Sequence, residues 1–532
     1  MPGKNVLLIE PGYKNKYPPL GLMKIAQYHG PQGKQDNVRF IKGCDRTVLE
    51  QSWDRIYVTT LFSFEWKRIA ETIDFALLAS GNSPQNVFVG GIAASLMHEA
   101  FTTEKRWAGV RIIKGLLNKA PAISLELDVF AEELYSEDTT SQPIEDLIPD
   151  YNILGQVDYP YAVHDAYFAY ASRGCVRKCS FCGVPKLEGD LYDTPSLSAV
   201  VNGIEKLYGP KKDLILMDNN IVASSRFKEV MAEIRDLGFT RGAKLRRGRS
   251  QVLRRVDFNQ GVDARILCKD PVFLRELATI CTNPLRIAFD HLGFKRQYET
   301  SIRFAHEVGL NDLSNYMLYN FNDSPEDLYE RMWLNIELNV ELNIRIFSFP
   351  MRYQPTDSKE RSYVGKRWNK YYLRSMQLIL QATHGIVSGA PSFFRRAFGS
   401  TAEEFTTLLI KPHKFIFNRA WFEEHDGRPE LDEYEALARK LSPSDRVDLL
   451  ETLSKFEYNG LYNFARSTIS NRRVAEIFEL YKPINSKQEA EIREKQAKKQ
   501  WDKMTAVAAV PDDQRVEDAG LELEPTLMAA EF

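Results

Sequence analysis

One stretch of the sequence decides the fold that we expect: Arg173-Gly174-Cys175-Val176-Arg177-Lys178-Cys179-Ser180-Phe181-Cys182-Gly183-Val184-Pro185. It contains three of the six cysteines of the chain, in a C-x3-C-x2-C spacing. This spacing brings three thiolates together in one tight loop, and no fourth cysteine stands nearby. A cubane iron-sulfur cluster held by them would keep one iron without a protein ligand, and such an iron is reactive.

Two other interpretations of these cysteines are a zinc site and three ordinary buried thiols. Zinc ribbons typically pair two C-x2-C units or combine one unit with a distant pair of histidines, and neither pattern is present here. The motif also follows an apolar run at residues 166–172, where a strand-to-loop junction is expected. We therefore favour the iron cluster.

The spacing, with an aromatic residue directly before the last cysteine, resembles the signature of the radical S-adenosylmethionine (radical SAM) superfamily. The resemblance implies that Cys175, Cys179 and Cys182 hold a [4Fe-4S] cluster whose remaining iron chelates the amino and carboxylate groups of SAM. It also implies that the reduced cluster cleaves SAM to a 5′-deoxyadenosyl radical and that Phe181 packs beside the adenine. An electron donor such as a flavodoxin or a ferredoxin is the partner expected for such an enzyme.

Length and composition agree with a large cytoplasmic enzyme. A chain of 532 residues predicts about three domains at ~150 residues each, and a hydrophobic content of 44% is ample for their cores. The formal net charge of -2 argues against wholesale attraction to nucleic acid or membranes. Because half of the six cysteines lie in one motif, we expect no disulfide framework and a reducing compartment. The N-terminus is not a signal peptide, and no apolar run reaches the ~18 residues of a membrane span.

Residues 1–145 alternate between apolar strands and amphipathic helices, which predicts a Rossmann-like open parallel sheet. The binding edge of such a sheet lies at the carboxyl ends of its strands. Glycines follow two of the strands and would permit a ligand to approach the backbone closely. The predicted strands are 6–9, 38–41, 55–60 and 87–89, and the predicted helices are 20–28 and 66–79.

The segments after these strands, at residues 18–22, 59–63 and 90–95, resemble the cobalamin-binding domain found upstream of many radical SAM modules. The resemblance implies a corrin over the strand ends. The D-x-H-x-x-G pattern that supplies an axial histidine in some cobalamin proteins is absent, and the only histidines of the domain are His29 and His98. The alternative is a sheet that binds no corrin and shapes a substrate pocket or a partner surface. Both alternatives stay open on the sequence.

After an acidic linker at residues 146–164, residues 165–355 resemble a radical SAM partial (β/α)6 barrel. Polar residues recur where its predicted strands stop, and in barrels the chemistry is built on that face. The predicted strands are 166–172, 213–217, 256–265, 285–289, 315–319 and 344–349.

The resemblance assigns further cofactor contacts to these strand ends. Asp218, Asn219 and Asn220 stand where the family has a Gly-Gly-Glu segment that holds the SAM amino group, and this chain lacks that segment. Asp290 falls where a ribose-contacting residue is common. Asn320 begins a segment that resembles the G-x-P-G-E-T-x-E-D turn after the fifth strand.

Several of these residues also have a purely structural interpretation. Ser324 and Pro325 form a good helix start, with serine as the N-cap and proline in the first turn. Asp263 and Arg265 predict either an ion pair at the barrel rim or a substrate contact. Arg352 belongs either to the rim or to a clamp for a carboxylate or phosphate.

A basic run at residues 241–249, with two more arginines at 254 and 255, has two interpretations as well. Such a run can contact phosphates of a nucleic acid or another anion. Because it contains no aromatic residue for base stacking, we favour a solvated loop.

Residues 356–485 carry apolar residues at helical spacing, which predicts helices at 371–383, 402–409, 431–441 and 444–456. The region has no cysteine, which argues against an auxiliary cluster, and we expect His384 and His413 to be surface or packed histidines. Residues 486–532 predict a charged helix and a disordered tail.

Two classes of function fit these observations. The leading one is a radical SAM enzyme that abstracts hydrogen from an unactivated carbon, with cobalamin, if bound, donating a methyl group or steering the radical. The alternative is a non-catalytic iron-sulfur or cofactor-binding sensor, for which the missing Gly-Gly-Glu segment is the best support. Methylthio transfer is disfavoured because the first domain has only Cys44, whereas that family binds a second cluster there through three cysteines.

Overall fold

The computed structural model describes residues 3–118, 143–194, 196–455, 462–492 and 494–495. It is a mixed α/β protein with parallel sheets, as the sequence predicts. Within these ranges, no helix has the length and apolar character needed to cross a membrane. Of the predicted charged helix and tail at residues 486–532, residues 496–532 lie outside the described residues.

The first region forms a five-stranded sheet in which every pair of neighbours is parallel. Its order is β2-β1-β3-β4-β5, a doubly wound order whose topological switch point lies between β1 and β3. The strands are β1 Asn5–Glu10, β2 Asn37–Lys42, β3 Arg55–Thr60, β4 Val87–Gly91 and β5 Arg111–Ile112. The helices are α1 Leu20–His29, α2 Trp66–Ala79, α3 Ile92–Leu96 and α4 His98–Thr102. All four predicted strands and both predicted helices are confirmed, and the short β5 was not predicted.

The second region contributes six parallel strands that follow one another in chain order. They form two three-stranded sheets, β6-β9-β12 and β13-β14-β15, which parallel bridges connect at Val256 to Thr282 and at Val262 to Ile287. The strands are β6 Ala166–Ala169, β7 Ser172–Arg173, β8 Tyr192–Asp193, β9 Asp213–Leu216, β10 Lys244–Arg247, β11 Ser250–Leu253, β12 Val256–Phe258, β13 Leu285–Arg286, β14 Asp312–Tyr319 and β15 Arg345–Arg352.

Helices connect these strands and then continue as an all-helical region. Those of the second region are α5 Val184–Leu187, α6 Leu197–Tyr208, α7 Phe227–Asp236, α8 Ala264–Leu267, α9 Val272–Leu277, α10 Lys295–Glu307 and α11 Pro325–Leu342. Those of the third are α12 Lys370–Ala382, α13 Pro391–Phe398, α14 Ala402–Ile410, α15 His413–Phe417, α16 Arg419–Glu424, α17 Arg428–Lys440, α18 Pro443–Lys455, α19 Tyr462–Thr468 and α20 Arg472–Phe478.

One hydrophobic core is shared by the first two regions and by the first helices of the third. A single cluster of buried side chains runs from one face of the five-stranded sheet into the six parallel strands. Tyr17 of the first region meets Phe168 of β6 edge-on at 6.4 Å, and its hydroxyl donates to Asn259 Oδ1 at 2.6 Å. The other face of the sheet and the last helices each bury a separate cluster. The carboxyl ends of both sets of strands are therefore held in a fixed relation.

Candidate metal centre

The three cysteines of the motif lie on the loop that follows the first strand of the second region. The short strands β7 and β8 pair antiparallel and close the base of this loop. Gly174 has φ of 73°, and a Cβ at this position would lie 2.2 Å from the carbonyl oxygen of Asp190. Only glycine fits here without displacing the backbone. The glycine before the first cysteine is therefore a structural requirement of the loop.

Polar hydrogens point at two of the sulfurs. Cys175 Sγ accepts from the backbone N–H of Arg177 at 3.3 Å and from Asn220 Nδ2 at 3.8 Å. Cys182 Sγ accepts from the N–H of Val184 at 3.5 Å. All six cysteines of the chain are free thiols, and the three of the motif are half-buried. Donors of this kind stabilise thiolates and tune the potential of a cluster that they hold.

Two arginines place positive charge near the thiols of the loop. Burial raises the pKa of Cys179, while the guanidinium of Arg265 beside it acts in the opposite direction. Asp263 anchors Arg265 Nε at 2.7 Å and Arg177 Nε at 2.8 Å. Burial opposes the charge of Asp263, but its hydrogen bonds to both arginines outweigh burial and hold its pKa below the usual value. The ion pair between Asp263 and Arg265 is confirmed, and the sequence did not predict its extension to Arg177.

A cluster and a single metal ion require different arrangements of the three thiols. In the described ranges, no group of three or more His, Cys, Asp or Glu side chains is arranged to hold a metal ion. A structural zinc requires four ligands within about 2.0–2.3 Å of one point. A cubane cluster takes one thiolate for each iron, so its three ligands do not converge on one atom. The assignment of these cysteines to a cluster rather than to zinc therefore stays a prediction.

Asp218 is bound by the protein itself. Its carboxylate is buried and accepts from the N–H of Ala171 and from the N–H and hydroxyl of Ser172, the hydroxyl bond being 2.7 Å long. Burial raises the pKa of Asp218 to about 6, against the effect of these hydrogen bonds. The residue fixes the turn between β6 and β7. Of the predicted segment, Asn219 and Asn220 are thus better placed to meet a ligand.

Asn219 and Asn220 reach toward the cysteine loop. Asn219 Nδ2 donates to Glu188 Oε2 at 2.8 Å, which ties the end of β9 to the far side of the loop. Asn220 donates to Cys175 Sγ, while its Oδ1 is buried and has no hydrogen-bond partner among the described residues. A buried acceptor without a donor is costly and points to a missing ligand. Asn220 therefore offers a ready acceptor beside the first cysteine.

Phe181 and Asp290 both lie near the thiols of the loop. The ring of Phe181 meets that of Phe321 edge-on at 5.7 Å. Burial raises the pKa of Asp290, while Arg331 opposes this rise. The carboxylate of Asp290 is also close enough to raise the pKa of Cys179. The structure thus brings both predicted residues to the cysteine loop, and their contacts with SAM stay predictions.

Asn320 holds the loop that follows β15. It has φ of 68°, and its Nδ2 donates to the carbonyls of Tyr353 and Tyr363 at 3.2 and 3.1 Å. Its Oδ1 accepts from the N–H of Gly365 at 2.8 Å. Both amide hydrogens of Asn320 are thus used to position this loop, and its contact with a cofactor stays a prediction.

The N-cap interpretation of Ser324 is confirmed. Ser324 Oγ accepts from the N–H of Asp327 at 3.3 Å, and the Asp327 carboxylate accepts from the N–H of Ser324 at 2.9 Å. Pro325 occupies the first turn of α11. This capping box starts the helix that follows the fifth predicted strand.

A buried ionic network behind the cysteine loop was not predicted. Arg173 donates to Glu145 and, through Nη1, to Glu188 Oε1 at 3.0 Å. Lys24 of α1 pairs with Glu145 Oε1 at 2.9 Å, and Glu188 also accepts from the N–H of Gly174 at 2.8 Å. The network links the first region to the residue directly before the motif. Its members are far apart in the sequence and follow no motif, so no sequence signal indicated it.

The carboxyl edge of the five-stranded sheet faces the cysteine loop. Helix α3, which follows β4, packs on α5, and a Cβ added to Gly183 would lie 3.0 Å from the side chain of Leu96. Gly91 at the end of β4 has φ of 103°, and a Cβ there would lie 2.4 Å from the carbonyl oxygen of Thr60. The end of β4 therefore carries no side chain at Gly91, and Leu96 of α3 packs against the cysteine region.

The histidines of the first region are bound elsewhere. His29 is buried between Asp36, at 2.7 Å from its Nδ1, and the hydroxyl of Tyr57, at 2.9 Å from its Nε2. His98 Nε2 lies 3.3 Å from the carbonyl oxygen of Ile112. Neither histidine is positioned as an axial ligand for a group over the strand ends.

The basic run forms an exposed antiparallel hairpin of β10 and β11 rather than an irregular loop. Arg247 pairs with Asp165 at 2.7 Å, and Arg255 pairs with Asp213 at 2.9 Å. The guanidinium of Arg254 lies 3.6 Å from the centre of the Phe239 ring. Since these arginines bind the protein, the hairpin offers weak support for a nucleic-acid contact.

No protein-family model matches the chain. No curated protein matches it in sequence either. Among solved structures, the chain is similar to the radical S-adenosylmethionine methyltransferase TsrM from Kitasatospora setae, solved with cobalamin and a [4Fe-4S] cluster bound, at 15% identity and a TM-score of 0.44 over 67% of this chain and 74% of that one.

A second TsrM structure, with tryptophan substrate and the SAM analog aza-SAM bound, gives 15% identity and a TM-score of 0.45 over 77% of this chain and 90% of that one. The cobalamin-dependent S-adenosylmethionine radical enzyme OxsB, in its apo form, gives 13% identity and a TM-score of 0.43 over 85% of this chain and 71% of that one.

Proposed function

We propose that this protein is a radical SAM enzyme in which Cys175, Cys179 and Cys182 hold a [4Fe-4S] cluster. One observation carries the proposal: three free, half-buried thiols share one loop at the carboxyl end of the first of six parallel strands. Backbone and amide N–H groups point at two of the sulfurs. The donor set thus suits a cluster with one iron left for a ligand.

The residues around the thiols suit the amino acid part of SAM. Asn220 Oδ1, buried and without a partner among the described residues, is an acceptor for the SAM amino group. Arg265 and Arg177 supply positive charge on the same side as the cysteines, and Asp263 keeps both guanidinium groups in place. Phe181 offers an apolar ring for the adenine.

When bound and reduced, the cluster supplies the electron that cleaves SAM to methionine and a 5′-deoxyadenosyl radical, which abstracts hydrogen from a substrate. The chain contributes binding, orientation and a water-poor site. Phe181, Phe321 and Tyr353 form a chain of edge-on ring contacts at 5.7 and 4.7 Å along one side of the site. Such a wall limits the access of water to a reactive intermediate.

Anaerobic purification followed by reduction with dithionite and SAM tests the proposal. We expect about four irons and four sulfides per chain, the Mössbauer spectrum of a [4Fe-4S] cluster, and release of 5′-deoxyadenosine. A sensor would show the cluster and release no 5′-deoxyadenosine. Zinc in place of iron would overturn the assignment of the cysteines.

We further propose that the carboxyl edge of the five-stranded sheet binds cobalamin. The support is its position, since α3 packs on α5 and places the bare backbone at Gly91 next to the cysteine region. A corrin there could donate a methyl group to a substrate bound beside the cysteine loop. Because His29 and His98 are bound elsewhere, we expect no histidine ligand to its cobalt.

Reconstitution with hydroxocobalamin, followed by gel filtration and absorbance, tests this second proposal. We expect one corrin per chain with the spectrum of a cobalamin that has no protein histidine on cobalt. A chain that takes up iron and sulfide and stays free of corrin would leave the first proposal intact and overturn the second.

A further inference from the structure

A cavity of about 590 Å³ lies apart from the cysteine loop, between the carboxyl end of β15 and the C-terminal helices. Its wall is formed by Arg352 of β15, by one face of α12, by the start of α15, and by the segment at residues 481–484. This volume is within the range of about 300–1,000 Å³ that small-molecule sites occupy. None of the residues that the proposed function uses lines it.

The cavity is strongly cationic. Six of its lining side chains are lysine or arginine and one, Glu489, is a carboxylate, whereas the chain as a whole has 70 basic and 72 acidic residues. Lys414 is paired with Glu430. Arg374 Nη1 donates to the neutral amide of Gln377 at 2.8 Å. Cations that share a concave wall repel one another until an anion enters.

Two buried polar atoms on the wall have no hydrogen-bond partner among the described residues: Arg352 Nε and His413 Nε2. Nη2 of Arg352 is held by the carbonyls of Arg361 and Tyr363, both at 3.2 Å, so the guanidinium is fixed with its Nε edge unmatched. The imidazole of His413 is fixed by stacking on Tyr371, with ring centres 4.2 Å apart. Unmatched buried groups on rigid supports are typical of a binding site without its ligand.

We propose that this cavity binds a phosphorylated small molecule, with Arg352, Arg374 and His413 contacting its phosphate oxygens. Arginine guanidinium groups donate charge-assisted hydrogen bonds to phosphate oxygens, Arg352 through its Nε–H, and His413 Nε2 can complete the set. Several cations favour a group with two or more negative charges over a single carboxylate. The site goes beyond the proposed function, since it uses none of the cysteine-loop residues.

Calorimetric titration of the purified full chain with pyrophosphate tests the proposal, with sulfate titrated in parallel. We expect one saturable site that weakens as sodium chloride rises, and weaker binding of sulfate. Arg374→Gln and Arg352→Gln should each weaken pyrophosphate at least about tenfold, because each removes a charge-assisted hydrogen bond. Arg249→Gln, in the exposed hairpin, is the matched control and should bind like the wild type.

The proposal is overturned by the absence of saturable pyrophosphate binding, by wild-type affinity in Arg374→Gln, or by an equal loss in Arg249→Gln. Arg352 also supports the loop of Arg361 and Tyr363, so its variant is interpreted only if its melting temperature matches that of the wild type. The same condition applies to Arg374→Gln, and the titration of the wild type tests the proposal without any variant. Because the titration needs no iron, its outcome is independent of the cysteine site.

Discussion

The two carboxyl edges of this protein are built from similar parallel strands and differ in how they use their polar groups. At the edge of the six strands, thiols and the Oδ1 of Asn220 are left open beside the cysteine loop. At the edge of the five-stranded sheet, Glu10 pairs with Lys42 at 2.7 Å, and Thr60 bridges to the carbonyl of Gly90 and the N–H of Ala94. The first edge is thus prepared for a ligand by side chains, and the second by bare backbone.

This difference explains why the sequence assigns a chemistry to the edge with the cysteines and leaves two alternatives open for the other edge. Three thiolates on one loop are a local pattern with a chemical meaning of its own. Whether a sheet edge has space for a ligand depends on how distant segments pack around it, and no sequence motif encodes that packing. The following changes test whether the two edges are in fact a cluster site and a corrin site.

The largest effect is expected from Cys179→Ala, which removes one ligand of the proposed cluster. The brown colour and the production of 5′-deoxyadenosine should both be lost, because two thiolates do not hold a cubane in place. Iron, sulfide and 5′-deoxyadenosine are measured in parallel. Cys44→Ala, at an exposed cysteine of the first region, should retain all three. Retained SAM cleavage in Cys179→Ala would refute the ligand assignment.

Gly91→Val tests the other edge. A valine would have to adopt φ near 103°, with its Cβ against the carbonyl of Thr60, so the end of β4 must shift. We expect corrin uptake to be lost while iron content is unchanged. Gly21→Ala in α1 is the control, since no atom lies within 4 Å of the added Cβ. Equal corrin uptake by both variants would place the corrin elsewhere or nowhere.

Glu145→Gln tests the ionic network that joins the two regions. The change leaves Lys24 buried without its counter-charge, and breaking a buried pair in this way costs about 3–5 kcal/mol. Lys24 and Arg173 outweigh burial and hold the pKa of Glu145 below its usual value, so the stabilisation is present above that value and is lost as the pH falls through the lowered pKa. Thermal unfolding at neutral and acidic pH measures both effects.

The matched control for Glu145→Gln is Glu99→Gln, at an exposed position of α4. It should melt like the wild type at every pH. A Glu145→Gln variant with the same melting temperature as the control would show that the network does not stabilise the junction between the regions.

Asp218→Asn is expected to have the smallest effect and to depend on pH in the opposite sense. Because burial raises the pKa of Asp218 to about 6, the folded chain prefers its protonated form. Its contribution to stability is therefore greatest below about pH 4 and falls as the pH rises to about 6, by an amount on the order of 3 kcal/mol. The difference in melting temperature between wild type and variant, measured from pH 4 to 7, should follow this course. A flat difference would contradict it.

Much of the fold could be predicted because the signals are local. The strand Arg55–Thr60 and the helix Trp66–Ala79 have the predicted bounds, since each is a continuous or periodic apolar segment. The third strand of the second region was predicted too long, at 256–265. It ends at Phe258 because the chain turns at Gly261, where φ is 81°. The two residues of β5 are too short to show a period.

The candidate site was predictable only where its residues are neighbours in the chain. The cysteine loop follows from spacing alone. The hydrogen bond from Arg177 to Asp263 joins residues 86 positions apart. The hydrogen bond from Ser172 to Asp218 joins residues 46 positions apart. Whether a polar side chain at a strand end meets a ligand or the protein is decided by such distant partners, and no local pattern encodes them.

The shared core described above has a consequence for how this protein can be taken apart. Tyr17 contacts both Phe168 and Asn259. A cut within residues 146–164 that separated the two regions would therefore expose the buried apolar side chains that they share. Neither fragment would stay in solution by itself, and a transplant of the cysteine-bearing piece into another scaffold would have to bring its neighbour along. We therefore expect the first and second regions to unfold together, although residues 146–164 separate two different topologies.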